Sequence, residues 1–259
     1  MRLLLCLMWI TTEMLAQSTA SPQVSHFMID SPQSGLRKIW LYLPEDYARS
    51  GKRYPVLYMH DAQNLFDAHT SFAGEWRVDE TLDSLKAQVI VVGIEHGNDK
   101  RIDEMTPFKN EKYGGGNADA YVDFIVSTLK PAIDKTYRTK KSAQHTIIMG
   151  SSLGGLVSLY AALKHPDVFG NAGIFSPSLW FSGKIFTVAA TSRHPKVRFY
   201  FLAGDQEDPA MLPDMQRMEA LLRAKPGRLQ EKIVRGGKHN EQLWRENFAN
   251  AYLWLIDRK

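Results

Sequence analysis

"HTIIMGSSLGGLVSLYAALKHP", His145 to Pro166, begins as a buried apolar run, tightens into glycine and serine, and leaves with helical spacing. Within it, Gly150-Ser151-Ser152-Leu153-Gly154 fits G-x-S-x-G. A nucleophile raised on a sharp strand-to-helix turn has strained dihedrals. The residues two positions either side of it pack together, so they must be small. Ser152 has glycine at both of those positions, whereas Ser151 has Met149 and Leu153. Ser152 is therefore the hydroxyl that such an elbow would lift, and Ser151 fills the turn. Gly155 adds room for the helix to approach the sheet, and the Leu153 amide would point where an oxyanion forms. The plain alternative is a helix N-cap in a glycine turn. The strand before and the helix after favour the elbow.

Outward from this stretch, apolar runs alternate with helical patterns. "HFMIDS" and "RKIWLYLP" read as two opening strands joined through "PQSG", and "YPVLYMHD" as a short buried strand. "VIVVGIE" is continuous and β-branched, as in a strand covered on both faces. "VDETLDSLKA" has the acidic first turn of a helix. Residues 96–117 read as a loop in which Gly114 to Gly116 mark a surface turn rather than a phosphate cradle. "ADAYVDFIVSTLKPAIDKTYRT" reads as a helix that Pro131 would kink. "NAGIFSPS", "VRFYFLAG" and "LQEKIVRGG" complete the strands, with helices over "LWFSGKIFTVAA", "MLPDMQRMEALLRAK" and the last 20 residues. The expectation is an α/β fold: a mostly parallel central sheet with helices on both faces, in one domain over residues 21–259.

Lys+Arg exceed Asp+Glu by 32 − 28 = 4 in 259 residues, with no basic block, so nucleic-acid binding is not expected. The lone cysteine, Cys6, excludes disulfides and Cys-based metal sites from the folded body. Arg2, the apolar run Leu3–Ile10 and the small residues at Ala16 and Ser18-Thr19-Ala20 read as a signal peptide over residues 1–20, implying export to the periplasm or medium. Glu13 runs against that pattern. No later segment has the ~20 apolar residues of a membrane span.

A serine of this kind needs an acid and then a histidine downstream. After Ser152 the histidines are His165, His194 and His239; the first two each precede a proline at a helix end or loop. His239 follows the last expected strand in "RGGKHNE", where Gly236 and Gly237 let the imidazole reach the strand ends. The acid belongs after the preceding strand, where Asp205, Glu207 and Asp208 all stand, and spacing alone does not choose among them. A second oxyanion donor should come from the loop after "YPVLYMHD", from the amide of Ala62 or Gln63. His60 beside Asp61 lacks a second histidine at ligand spacing, so a structural role is expected and no metal.

Together "LYMHDAQNLFD", "GEWRVDETL", "VVGIEHGNDKRIDEMTPF", "MGSSLGG", "FSPSLW", "GDQED" and "GGKHNEQLW" resemble the esterase D-like family of the α/β-hydrolase superfamily, over about Lys38 to Trp254. That family is related to siderophore, feruloyl and acetylxylan esterases. The resemblance implies an α/β-hydrolase fold and a serine carboxylic-ester hydrolase with Ser152 as nucleophile, His239 as base and Glu207 as acid. Glu207 stands third after the glycine ending its strand and is glutamate where many relatives have aspartate. Gln63 and Leu153 match the oxyanion amides, and Ala62 stands where relatives more often carry glycine. No cofactor is implied. The substrate implied is an ester of a carbohydrate, an aromatic acid or a siderophore.

Of Trp76, Trp180 and Trp244, Trp180 in "SPSLW" is the expected substrate-binding residue. Arg101 could meet an anionic substrate, although an Arg101–Glu104 pair bracing the loop is the more ordinary expectation. Two other classes stay open. One is a catalytically silent hydrolase-fold binding module, which the presence of both Ser152 and His239 disfavours. The other is an acyltransferase using the same triad, which competing acceptor alcohols would reveal. Oligomeric state is not legible in the sequence.

Overall fold

The computed structural model describes residues 18–31, 35–193 and 196–257. Most of the expected signal segment, Cys6, the turn residues Pro32 to Ser34, and His194 lie outside these. One sheet organises the chain. Its strands are β1 (Val24–Ser31), β2 (Gly35–Tyr42), β3 (Val56–His60), β4 (Ile90–Ile94), β5 (Thr146–Ser151), β6 (Asn171–Phe175), β7 (Arg198–Gly204) and β8 (Arg228–Val234). Their spatial order is β1-β2-β4-β3-β5-β6-β7-β8. β1 pairs antiparallel with β2, and β2 with β4; every other neighbour is parallel.

The helices are α1 (Val78–Ser84), α2 (Arg101–Met105), α3 (Ala118–Phe124), α4 (Lys130–Thr136), α5 (Leu153–Lys164), α6 (Lys184–Thr191), α7 (Met211–Arg223) and α8 (Glu241–Ile256). They cover both faces, which is why the central strands β3 and β4 are buried along their whole length. The pleat sorts successive residues into two cores. Val56 and Tyr58 join Val92, Ile148 and the buried side of α5, while Leu57 and Met59 join Val91, Ile147, Met149, Leu82 and Phe248. α5 is buried from Leu153 through Leu163, so it lies beneath other elements rather than on the surface.

Two expectations need correction. Residues 96–117 are not all loop, because they include α2. Pro131 does not simply kink its helix: α3 runs through a π turn, Ile125–Leu129, directly into α4. The wider turn lies just before the position where proline supplies no N–H and crowds the preceding carbonyl.

After β3 the chain moves out to β4, then returns past β3 to β5 on its other side. The carboxyl ends of β3 and β5 therefore flank the crevice where open α/β sheets bind ligands. A cleft of about 580 Å³ at Gly170, Asn171, Arg198 and Arg228 lies instead at the amino ends of β6 to β8.

Candidate active site

Ser152 stands between β5 and α5 with φ 57° and ψ −121°, the strained turn that the small residues anticipated. The steric demand is direct: a Cβ on Gly150 would lie 2.8 Å from the Gly154 backbone, and one on Gly155 would lie 2.8 Å from the Phe175 carbonyl. That carbonyl accepts the Ser152 N–H at 2.9 Å, which ties the elbow to the end of β6. Leu153 opens α5, so its N–H is among the first-turn amides with no intrahelical acceptor.

Across the crevice, β3 ends at His60 and enters a 3-10 turn, Ala62–Asn64, through Asp61 in the left-handed region (φ 55°, ψ 46°). Gln63 lies in that turn. Its carbonyl accepts the Thr70 hydroxyl at 2.6 Å, and the Asn64 carbonyl accepts the Trp76 N–H at 2.8 Å. Arg101 grips Asp61 through Nε and Nη2 at 2.7 and 2.9 Å. Burial disfavours the Asp61 charge, but the guanidinium outweighs it and holds the carboxyl below its usual range. The expected Arg101–Glu104 pair is absent; Glu104 instead forms a buried ion pair with Arg37 and accepts the Gly97 N–H at 3.0 Å. Each finds a partner from a distant strand end instead, so Arg101 reaches the site and Glu104 the interior. His60 is buried, its Nδ1 2.8 Å from the Tyr121 hydroxyl. Burial pulls its pKa down to about 4, leaving it neutral, in keeping with a structural role.

The third part comes from β7 and β8. A Cβ on Gly204 would lie 2.1 Å from the Gly237 carbonyl, so glycine at this point lets the two following turns touch. The three carboxylates then part ways. Asp205 accepts the Gly236 N–H at 2.7 Å and Asp208 the Ala210 N–H at 2.8 Å. Glu207 alone faces the imidazole, with Oε2 2.6 Å from His239 Nδ1. Its Oε1 accepts the Gly204 N–H at 2.7 Å and the Ser176 hydroxyl at 2.8 Å. Burial raises its pKa, but these partners, His239 first, bring it below the ordinary value and keep it ionised. His165 lies at the far end of α5, about 18 Å of helix from Ser152.

Two serines of the loop after β6 were not singled out from the sequence. Ser176, at φ 42°, accepts the buried Trp244 indole N–H at 2.9 Å and passes its own proton toward Glu207. Ser178 bonds the Ser152 hydroxyl at 3.2 Å, and its N–H donates to the Ser152 carbonyl at 3.1 Å. In this structure the Ser152 hydroxyl is thus held by Ser178 rather than by His239. The only hint in the sequence was the position of "SPS" after a buried strand.

The tryptophans also separate. Trp76 and Trp244 are buried, with Trp76 stacked on Phe175 at 5.6 Å and 5.8 Å from the Trp244 ring. Trp180 is 50% exposed and meets the exposed Tyr113 edge-on at 5.7 Å. Asn110 ties Tyr113's turn to the Trp180 loop by donating to the Phe181 carbonyl at 2.8 Å. An exposed aromatic pair thus stands two residues from the group that touches Ser152.

No helix of the described residues is long and apolar enough to cross a membrane. Comparison with known proteins fixes the lineage. The model of the family described as "Putative esterase" matches residues 34–255. Bacillus subtilis YbbA is 28% identical over 87% of this chain and 95% of its own. The endo-1,4-beta-xylanase/feruloyl esterase of Xylanibacter ruminicola is 26% identical over 79% of this chain, which spans only 27% of that longer protein. The structure of siderophore hydrolase EstA from Aspergillus nidulans superposes with a TM-score of 0.72 at 19% identity, covering 90% of this chain and 94% of that one.

Proposed function

The chain belongs to this esterase family and is a carboxylic ester hydrolase of α/β-hydrolase fold, and from that premise we propose that it works through a Ser152–His239–Glu207 triad. The observation that carries the proposal is the 2.6 Å bond from His239 Nδ1 to an ionised Glu207, beside a serine raised at φ 57°. Glu207 fixes the tautomer, so Nε2 is the basic nitrogen. The Ser152 hydroxyl turns from Ser178 to His239, gives up its proton and attacks the ester carbonyl. The Leu153 and Gln63 amides hold the tetrahedral oxyanion; each such donor contributes about 10²–10³ in turnover. Protonated His239 then gives its proton to the leaving alcohol. Water enters, loses its proton to His239, and releases the acid by the reverse path.

The acyl group we propose is aromatic. Trp180 and Tyr113 offer it an exposed edge-to-face pair to stack against. Arg101, with Nε and Nη2 occupied by Asp61 and 29% of its side chain exposed, keeps Nη1 for a substrate oxygen. Export through the N-terminal segment belongs to the same reading. Ser18 and Thr19 bond the folded body at Asp67, which favours a cleavage at Ala16 over one at Ala20.

The test is a panel of p-nitrophenyl acetate, methyl ferulate, acetylated xylan and a catecholate trilactone, run on the parent and on Ser152→Ala. The triad requires that Ser152→Ala lose hydrolysis and fluorophosphonate labelling together. Persistent turnover would remove Ser152 from the mechanism, and preference for an alkyl ester would remove the aromatic pocket.

A further inference from the structure

Beside the entry to α1, and apart from the triad, three carboxylates converge, and among the described residues no basic side chain lies within ion-pair distance of them. Glu75 and Asp79 are buried, at 5% and 0% exposure, and Glu80 is exposed. One oxygen from each lies within 4.8 Å of the others. Two buried oxygens here lack any hydrogen-bond partner: Asp79 Oδ1 and Ser21 Oγ. Ser21 is seated against Asp79, its N–H donating to Oδ2 at 2.7 Å. The Thr19 hydroxyl adds another oxygen, 3.4 Å from both oxygens of Glu75. The nearby Arg245 spends a nitrogen on the Glu75 backbone carbonyl at 2.9 Å rather than on a carboxylate.

We propose that Glu75, Asp79 and Glu80, with the hydroxyls of Thr19 and Ser21, bind a calcium ion. Buried acceptors that lack donors call for a cation, and a set made only of oxygens calls for a hard one. Carboxylates and hydroxyls on a mixed loop and helix end suit the irregular shell that calcium accepts, whereas magnesium demands near-ideal octahedral geometry. The ion would pin the Thr19–Ser21 segment to the start of α1. It is structural, takes no part in ester cleavage, and its test does not depend on the triad.

Trp76 lies between Glu75 and Asp79 in the chain, so it can sensitise terbium bound in place of calcium. The chelator-treated protein is titrated with Tb³⁺ under tryptophan excitation, and its Tm is measured with Ca²⁺ or Mg²⁺ at about 1 mM. Expected are sensitised emission displaced by Ca²⁺, and a Tm that rises with Ca²⁺ more than with Mg²⁺. Asp79→Asn and Glu80→Gln should each weaken Tb³⁺ binding at least tenfold, with Asp99→Asn unchanged. Glu80 is exposed, so Glu80→Gln decides the matter even if Asp79→Asn fails to fold. Absence of both signals, or Glu80→Gln binding like the parent, overturns the site.

Discussion

Ser176→Ala is the substitution that most sharply tests the polar chain behind the imidazole. In the parent the Ser176 hydroxyl links the Trp244 indole N–H, at 2.9 Å, to Glu207 Oε1, at 2.8 Å. Removing it takes one of three hydrogen bonds from a carboxylate that must balance the imidazolium formed during attack. A bond to a charged group contributes about 1.5–3 kcal/mol, which corresponds to about 10- to 150-fold in rate if felt wholly in the transition state. The Gly204 amide and His239 remain on Glu207, so the lower end applies and kcat should fall about tenfold with KM little changed. The Trp244 N–H is left buried without an acceptor, costing about 1–3 kcal/mol of stability. For a domain of this size that lowers Tm by several degrees. The two effects can be separated with Ser176→Ala/Trp244→Phe, which removes the orphaned donor. Stability should then recover in part while kcat stays low. Kinetics on p-nitrophenyl acetate and thermal melts followed by circular dichroism supply both numbers. A kcat within twofold of the parent, or a kcat that returns along with Tm in the double variant, would refute the reasoning.

Other outcomes follow from the same geometry. Arg101→Ala frees Asp61 at the mouth of the turn carrying Gln63, and kcat should drop by about one order of magnitude, part of what a lost oxyanion donor costs. A rise in KM alone would limit Arg101 to its contact with substrate and remove it from holding the turn. Glu219 is buried on α7, and burial, helped by Glu231, pushes its pKa up to about 7 against the pull of Arg223. The native state thus holds an extra proton between about pH 4.5 and 7, so stability should fall as pH rises through that window, by on the order of 2–3 kcal/mol. Glu219→Gln should flatten that slope in urea melts, and an unchanged slope would show that Glu219 titrates normally.

The elbow was legible because its constraint is local: small residues at fixed offsets, a strand before and a helix after. His239 could be reached by elimination among three histidines, and Glu207 is the carboxylate of the three that touches it. Asp205, Glu207 and Asp208 could not be separated by spacing. Asp205 is spent on the Gly236 N–H, 31 residues away, and Asp208 on the Ala210 N–H of its own turn, so the carboxylate left for the imidazole emerges only in the fold. The ion pairs went astray for a related reason. Arg101 and Glu104 stand three apart on a helix, the usual spacing for partners, yet Asp61 is 40 residues from Arg101 and Arg37 is 67 from Glu104. Ser176 and Ser178 carry no pattern of their own. Their partners are fixed only when β5, β6 and β7 lie side by side.

Three residues of the candidate site hold non-glycine positive φ: Asp61 after β3, Ser152 after β5 and Ser176 after β6. Such conformations cost about 1–3 kcal/mol each and persist only where the surroundings enforce them. These three follow strands at the middle of the sheet, so the enforcement comes from ladders that close late, between segments distant in sequence. A chain with its helices formed but its central strands unpaired would carry Ser152, Glu207 and His239 yet hold none of these three turns in place. The strain at the candidate site is thereby a property of the finished fold, absent from any state that lacks the central ladders.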